Sequence, residues 1–298
     1  MNDALLRQET RRRRLAEWLV TSPSLLWLVG LVLVPTAIVF VIALKAPDVD
    51  GGIGAGWSLE TLRSLARSSY LRIAWRTLYL SFLTTAGCML LAVPTGYYIA
   101  RVEEKWRQTL LLLVVIPFWT SFLIRIFAWK VLLHPEGPVK AALAWLHLVP
   151  PDAGLLYNPG AVLLVMIYTS LPFAILPVYA AAEKLDYTLV EAARDLGATP
   201  LGAFFRVFVP GISRGLVAAT LLVFIPSLGS YIIPDLVGSP SSEMLGNVIA
   251  QRVFVDRNLP HASALAAVLT VAVLAPMLAV LVLRRNGGAA APPPRGTP

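Results

Sequence analysis

Six long apolar runs separated by short polar segments dominate the chain, at about 19–44, 74–100, 110–133, 160–182, 212–235 and 262–283. Each is near or above the roughly 20 residues that an α-helix needs to cross the hydrocarbon of a bilayer. Backbone polar groups in lipid must be satisfied within the segment, so the pattern predicts an all-α polytopic membrane protein with six transmembrane helices. Pro117 marks the third run, and Pro226, Gly229 and Pro234 punctuate the fifth. Such residues either break a helix in a way that suits a gate or make kinks that neighbouring helices stabilise.

The segments between the runs are short. Residues 45–73 open with the turn-prone APDVDGGIGAGWS and continue with LETLRSLARSSYLRIAW, whose apolar residues recur at helical spacing. That predicts a turn followed by an external amphipathic helix. Residues 1–18 form a basic N-terminal segment carrying Arg11–Arg14, and residues 286–298 are a Pro- and Ala-rich tail without apolar periodicity, expected to be disordered. Residues 19–285 then read as one membrane domain. The tetrabasic stretch resembles a signal-peptide n-region, but the run behind it exceeds a usual h-region and no small-x-small site closes it, so a retained first span is expected.

Composition strengthens the membrane assignment: 57% of residues are hydrophobic, 14% are charged, and mean hydropathy is +0.71. The formal net charge of +8 is unevenly placed. With the N-terminus in the cytoplasm, most basic residues fall on the inner side, among them Arg11–Arg14, Arg101, Lys105, Arg107, Lys184, Arg194, Arg206, Arg284 and Arg285. The positive-inside rule therefore places both termini in the cytoplasm. On this reading the charge reports topology and attraction to lipid headgroups, with no nucleic-acid partner required.

Metal and nucleophile chemistry find little support. Cys88 is the single cysteine, which excludes an intrachain disulfide and fits a packed apolar interior. His134, His147 and His261 lack ligand spacing, and no G-x-x-x-x-G-K-[ST] run encodes a phosphate-binding loop.

One polar island stands out, EAARDLGATPLGAFFRVFVP at residues 191–210. Glu191 and Asp195, four apart, share one helix face, Gly197 suits a helix C′ position, and Thr199-Pro200 is a cap followed by an N1 residue. The segment therefore predicts a short helix, a bend at Gly197-Ala198, and a second short helix from Pro200 to about Phe208. Phe204, Phe205 and Phe208 are placed to fasten that second helix to the bundle. Acid–base catalysis fares poorly here, because the two carboxylates lack a nucleophile, a metal set and a substrate cavity. A plain interfacial connector and a partner-docking surface both remain open.

The same stretch resembles the EAA loop of ATP-binding-cassette (ABC) importer permeases, on Glu191, Ala192, Ala193, Gly197, Val209 and Pro210, with valine where the family commonly has leucine. IPFWTSFLIRIFAWKVLL and IPSLGSYIIPDLVGSPSSEMLGNVI are similar to membrane signatures of spermidine/putrescine-type members, and the likeness runs from about Trp18 to Arg285. The resemblance implies a type I (MetI-like) permease fold with cytoplasmic coupling helices in a bacterial inner membrane. Glu191, Ala192, Ala193, Asp195 and Gly197 become the ATPase-coupling candidates. It also implies a second homologous permease subunit, two copies of a cytoplasmic ABC ATPase that hold ATP and Mg, and an extracytoplasmic solute-binding protein. This chain itself would bind no cofactor and catalyse no hydrolysis. The cargo implied is a polyamine or another small organic solute; an ion-coupled secondary carrier is the competing class.

Candidates for the solute path are Trp119, Tyr168 and Tyr231, whose rings offer faces to a cation, and Asp235, whose charge suits an ammonium group. Belt anchoring or packing is the plainer role of each ring. Arg125 and Lys130 have the wrong sign for a cationic solute and read as structurally paired or snorkelling. Related polyamine permeases often carry an acidic residue where this chain has Ser230.

Overall fold

The computed structural model describes the backbone of residues 2–48, 51–65, 68–150 and 153–287, and the side chains of 17–48, 51–65, 69–150 and 153–275. In chain order the helices are α1 (Asn2–Ala43), α2 (Glu60–Ser64), α3 (Ser68–Arg101), α4 (Glu104–Val115), α5 (Phe122–Leu132), α6 (Pro138–Trp145), α7 (Pro159–Glu183), α8 (Thr188–Asp195), α9 (Pro200–Ala203), α10 (Val209–Gly211), α11 (Ser213–Leu228), α12 (Ile232–Val237), α13 (Leu245–Phe254) and α14 (Leu259–Gly287). A 3₁₀ turn covers Ile116–Trp119 and a π-helical turn covers Phe204–Phe208. Between α1 and α2, strands β1 (Lys45–Pro47) and β2 (Ile53–Trp57) pair antiparallel. The chain forms two compact units, residues 1–66 with 251–298, and residues 67–250.

In the first unit α1 runs along α14, and Ala43, Ala264 and Ala267 form a small core with Leu62 and Leu65 against it. The side chains of Arg11–Arg14 and the tail from residue 288 lie outside the described residues. After α1 the expected turn is the reversal of a hairpin, and the expected amphipathic helix is present in pieces. Gly51 and Gly52 adopt φ of 90° and 99°, a region open to glycine, and the chain reverses into the hairpin. Lys45 lies 4.2 Å over the Trp57 ring. Among the described residues between the hairpin and α3, which begins at Ser68, Glu60–Ser64 is helical.

In the second unit α3, α7 and α11 pack on one another around Cys88, Ala92, Ala174, Val178, Ala219 and Val223. Small residues set the approach: a Cβ on Gly96 would stand 2.7 Å from Val178 Cγ1, and one on Gly87 2.6 Å from Ile167 Cδ1. Several buried hydroxyls, though not that of Ser81, are satisfied within their own helices. Thr84 donates to the Leu80 carbonyl at 2.8 Å, Thr169 to Val165 at 2.9 Å, and Ser227 to Val223 at 2.7 Å.

Two of the predicted spans are broken. The third bends by 91° between Glu104–Trp119 and Phe122–Leu132, where Thr120 and Ser121 take extended conformations after the Pro117 turn. The fifth run is interrupted at Gly229–Tyr231 between α11 and α12, and a 73° bend separates Pro200–Gly211 from α11. Among the described residues three helices are long and apolar enough to cross a membrane, or five if each bent pair is one span. The sixth apolar run lies on α14, whose apolar stretch within the described residues is the shorter Leu259–Ala275.

Candidate functional site

Two places in the second unit gather functional candidates. The first is the polar island. Here α8 ends in a Schellman arrangement: the Gly197 N–H donates to the Arg194 carbonyl at 2.9 Å and the Ala198 N–H to the Ala193 carbonyl at 3.0 Å. Gly197 carries a φ of 91°, which glycine reaches without a Cβ clash. Thr199 then caps α9 by accepting from the Gly202 N–H at 3.1 Å, with Pro200 at N1. Two short helices joined by a bend at Gly197-Ala198 are thus present where the sequence places them.

Glu191, Ala192, Arg194, Asp195 and Gly197 are exposed, while Ala193 and Ala198 face the core. Glu191, Arg194, Asp195, Ala198 and Pro200 line a polar depression of about 320 Å³. The same segment carries exposed apolar side chains that pattern reading missed: Leu196 is 90% exposed, Leu201 71% and Leu189 55%. Leu196, immediately before the helix-ending glycine, was the available signal.

The anchoring of this segment is aromatic. Phe208 is fully buried; its ring and that of Phe204 meet Tyr97 of α3 at 4.7 and 5.2 Å, and Tyr187 lies 6.5 Å from Phe208. Phe205, expected to share that role, instead packs on Phe204 and remains exposed. The Arg101 guanidinium sits 5.3 Å from the Tyr97 ring and 5.6 Å from that of Tyr187. Burial, with Tyr97 beside it, pushes the Tyr187 phenol up. Between Glu183 and α8, the Asp186 carboxylate accepts from the Thr188 hydroxyl at 2.7 Å and its N–H at 3.0 Å, and these bonds hold Asp186 below the ordinary carboxylate value. Arg107 of α4 reaches Glu183 of α7 at 3.2 Å, and the Tyr179 hydroxyl donates to the same carboxylate oxygen at 2.7 Å.

The second place is a cavity of about 490 Å³ at the two helix breaks, lined by residues of α5, α7, α11 and α12. Of the predicted path residues it contains Tyr231, at the break between α11 and α12. Trp119 is 76% exposed at the other break, Tyr168 packs edge-on to Trp129 at 5.3 Å, and Asp235 is exposed in the first turn of α12; none of the three lines the cavity. The charged residue that does is Arg125, 4.4 Å from the Phe118 ring centroid. The expected structural pairing of Arg125 and Lys130 is not with an acid among the described residues: Lys130 lies 5.8 Å from the Tyr157 ring. The described residues also contain no group of three or more His, Cys, Asp or Glu able to hold a metal ion.

A family model described as binding-protein-dependent transport system inner membrane component matches residues 92–286, which include both places. The chain belongs to that family. It is 36% identical over 245 residues to the spermidine/putrescine transport system permease protein PotB of Haemophilus influenzae, covering 82% of this chain and 86% of that one. It is 33% identical over 219 residues to the inner membrane ABC transporter permease protein YdcU of Escherichia coli, covering 70% of each. A chain from the crystal structure of a bacterial ABC transporter involved in the import of the acidic polysaccharide alginate matches with a TM-score of 0.66 at 18% identity, covering 96% of this chain and 99% of that one. The two share a fold. As a binding-protein-dependent permease component, the chain is a transport subunit of the ABC-importer class for a small solute, and not an enzyme.

Proposed function

We propose that this chain forms half of the membrane pathway of an ATP-driven importer, spanning the bacterial inner membrane six times with both termini in the cytoplasm. Its partners are a second homologous permease, two copies of a cytoplasmic ATPase and an extracytoplasmic solute-binding protein. The observation that carries the reading is the exposed, bent segment around Gly197, which carries a polar depression and three uncovered leucines and whose far end is locked to α3 through Phe208 and Tyr97. Glu191, Ala192, Ala193, Asp195 and Gly197 form the surface that receives the ATPase. Closure of the ATPase pair on ATP moves this surface, the aromatic anchor passes the motion to α3, and the pathway turns outward to accept solute. Hydrolysis on the ATPase resets it.

For the cargo, the PotB relatives favour a polyamine such as spermidine or putrescine. A second reading, another small organic solute, is favoured by Arg125, whose charge lines the cavity while Asp235 stands outside it. Uptake of labelled spermidine and putrescine into vesicles containing the complete transporter, with ATP on the ATPase side, tests both. ATP-dependent uptake abolished by Glu191→Ala supports the coupling surface; uptake that proceeds equally without ATP overturns the importer reading and favours an ion-coupled carrier.

A further inference from the structure

The cavity at the two helix breaks has a chemistry of its own. Its polar lining consists of Thr169, Ser170, Ser227, Ser230 and Tyr231, and its one charged lining residue is Arg125; no carboxylate lines it. The Arg125 Nε and Nη1 atoms are buried and have no hydrogen-bond partner. Buried guanidinium donors left without acceptors are costly. The flanking Phe118 and Phe122 rings, 4.4 and 5.8 Å from the guanidinium, attract the cation but accept no N–H bond in its plane. Lys130, the other cation of α5, lies outside the cavity lining, over Tyr157. What the cavity lacks is a planar acceptor matching the guanidinium fork, and a carboxylate provides it in a two-point contact.

We propose that this cavity takes a small organic acid, a solute whose carboxylate pairs with Arg125 while Ser230, Tyr231 and the other hydroxyls meet its remaining polar groups. The volume of about 490 Å³ suits a metabolite-sized solute. Apolar walls of Phe118, Phe122, Met166 and Phe173 strengthen the pairing by excluding water. A diamine, with two ammonium groups and no acceptor, meets repulsion at the same place. The proposal rests on the reading of this chain as a solute-translocating permease and gives that reading its substrate class.

The test uses a series matched in length. ATP-dependent uptake into vesicles holding the complete transporter and its binding protein is measured with succinate, 4-aminobutanoate and putrescine, for the natural chain and for Arg125→Gln, Arg125→Lys and Ser230→Glu. Uptake of at least one of the two acids is expected, falling about ten-fold or more in Arg125→Gln, as befits loss of a charge-assisted hydrogen bond, and less in Arg125→Lys. Ser230→Glu, which adds a competing carboxylate to the same wall, is expected to lower acid uptake without touching Arg125. Uptake of putrescine alone, uptake of none of the three, or acid uptake unchanged in both Arg125→Gln and Ser230→Glu overturns the proposal. A fall in Arg125→Gln accompanied by dissociation of the permease pair also overturns it, assigning Arg125 to the subunit interface. Loss of ATP dependence strikes the importer reading instead, so the two failures are separable.

Discussion

The rings of Tyr97 and Phe208 meet edge to face, 4.7 Å between centroids and 73° between planes, and join α3 to the π-helical turn that follows α9. This contact is the mechanical root of the polar island, because Phe208 has no exposure while the helix it anchors carries exposed residues on its other face. On the proposed reading, the aromatic pair at the base and the exposed surface at the tip would make a lever out of an otherwise short connector.

Phe208→Ala removes the root. Loss of a fully buried aromatic side chain costs about 3–5 kcal/mol, and part of that falls on the docking of the 200–211 segment. Thermal unfolding of the purified complex is expected to shift down, and ATP hydrolysis is expected to persist without matching uptake. Unchanged stability in Phe208→Ala would show that the ring makes no such contact.

Gly197 tests the bend itself. A Cβ there meets no atom within 4 Å, so the penalty of Gly197→Ala comes from the backbone alone. Holding an L-residue at a φ of 91° costs about 1–2 kcal/mol, and Asn, which tolerates that region better, is expected to cost less. The order Gly, Asn, Ala in coupled uptake checks this; equal uptake in all three would separate the bend from coupling.

Two glycines in long helices give opposite forecasts. Gly96 of α3 faces Val178, where an added Cβ stands 2.7 Å from Cγ1, and overpacking of this kind costs about 1–3 kcal/mol in Gly96→Ala. Gly30 of α1 has nothing within 4 Å, so Gly30→Ala is expected to be neutral or to stabilise the helix by about 0.5–1 kcal/mol. Thermal unfolding of the two variants side by side measures the contrast.

The helices and the capped bend were legible because they rest on local chemistry. Run length marks spans, and Gly197, Thr199 and Pro200 carry cap preferences that tertiary packing leaves intact. The 91° break near Pro117 was less legible, since a proline within an apolar run fits a kink as well as a break, and the extended Thr120 and Ser121 have no sequence signature of their own. The hairpin was hidden because its strands, Lys45–Pro47 and Ile53–Trp57, are short and lie in the turn-prone stretch around Gly51 and Gly52. The lining of the cavity was not legible for a different reason. The break between α11 and α12 brings Tyr231 to it and α5 brings Arg125, while Asp235 stands outside. Which face of a broken helix lines a cavity depends on the direction taken after the break, and the pattern along the chain does not carry that.

Asp186 supplies a pH-dependent handle on the same lever. Its carboxylate accepts from both the hydroxyl and the N–H of Thr188 at the start of α8, and these bonds lower its pKa from the ordinary value. A carboxylate whose folded pKa lies below its unfolded value contributes stability in full above the unfolded value, about 3.9 for Asp, and loses that contribution as pH falls through the folded value. Protonation removes the carboxylate's charge and weakens both bonds, so the first turn of α8, including Glu191, is expected to fray below that range. Because Asp186 is exposed, the effect is local and leaves the buried Phe208 anchor in place. Amide-exchange protection of Thr188–Glu191, corrected for intrinsic rates and followed from neutral pH downward, should drop in the natural chain. In Asp186→Ala it should already be low at neutral pH and change little; a parallel drop in both proteins would assign the fraying to another group.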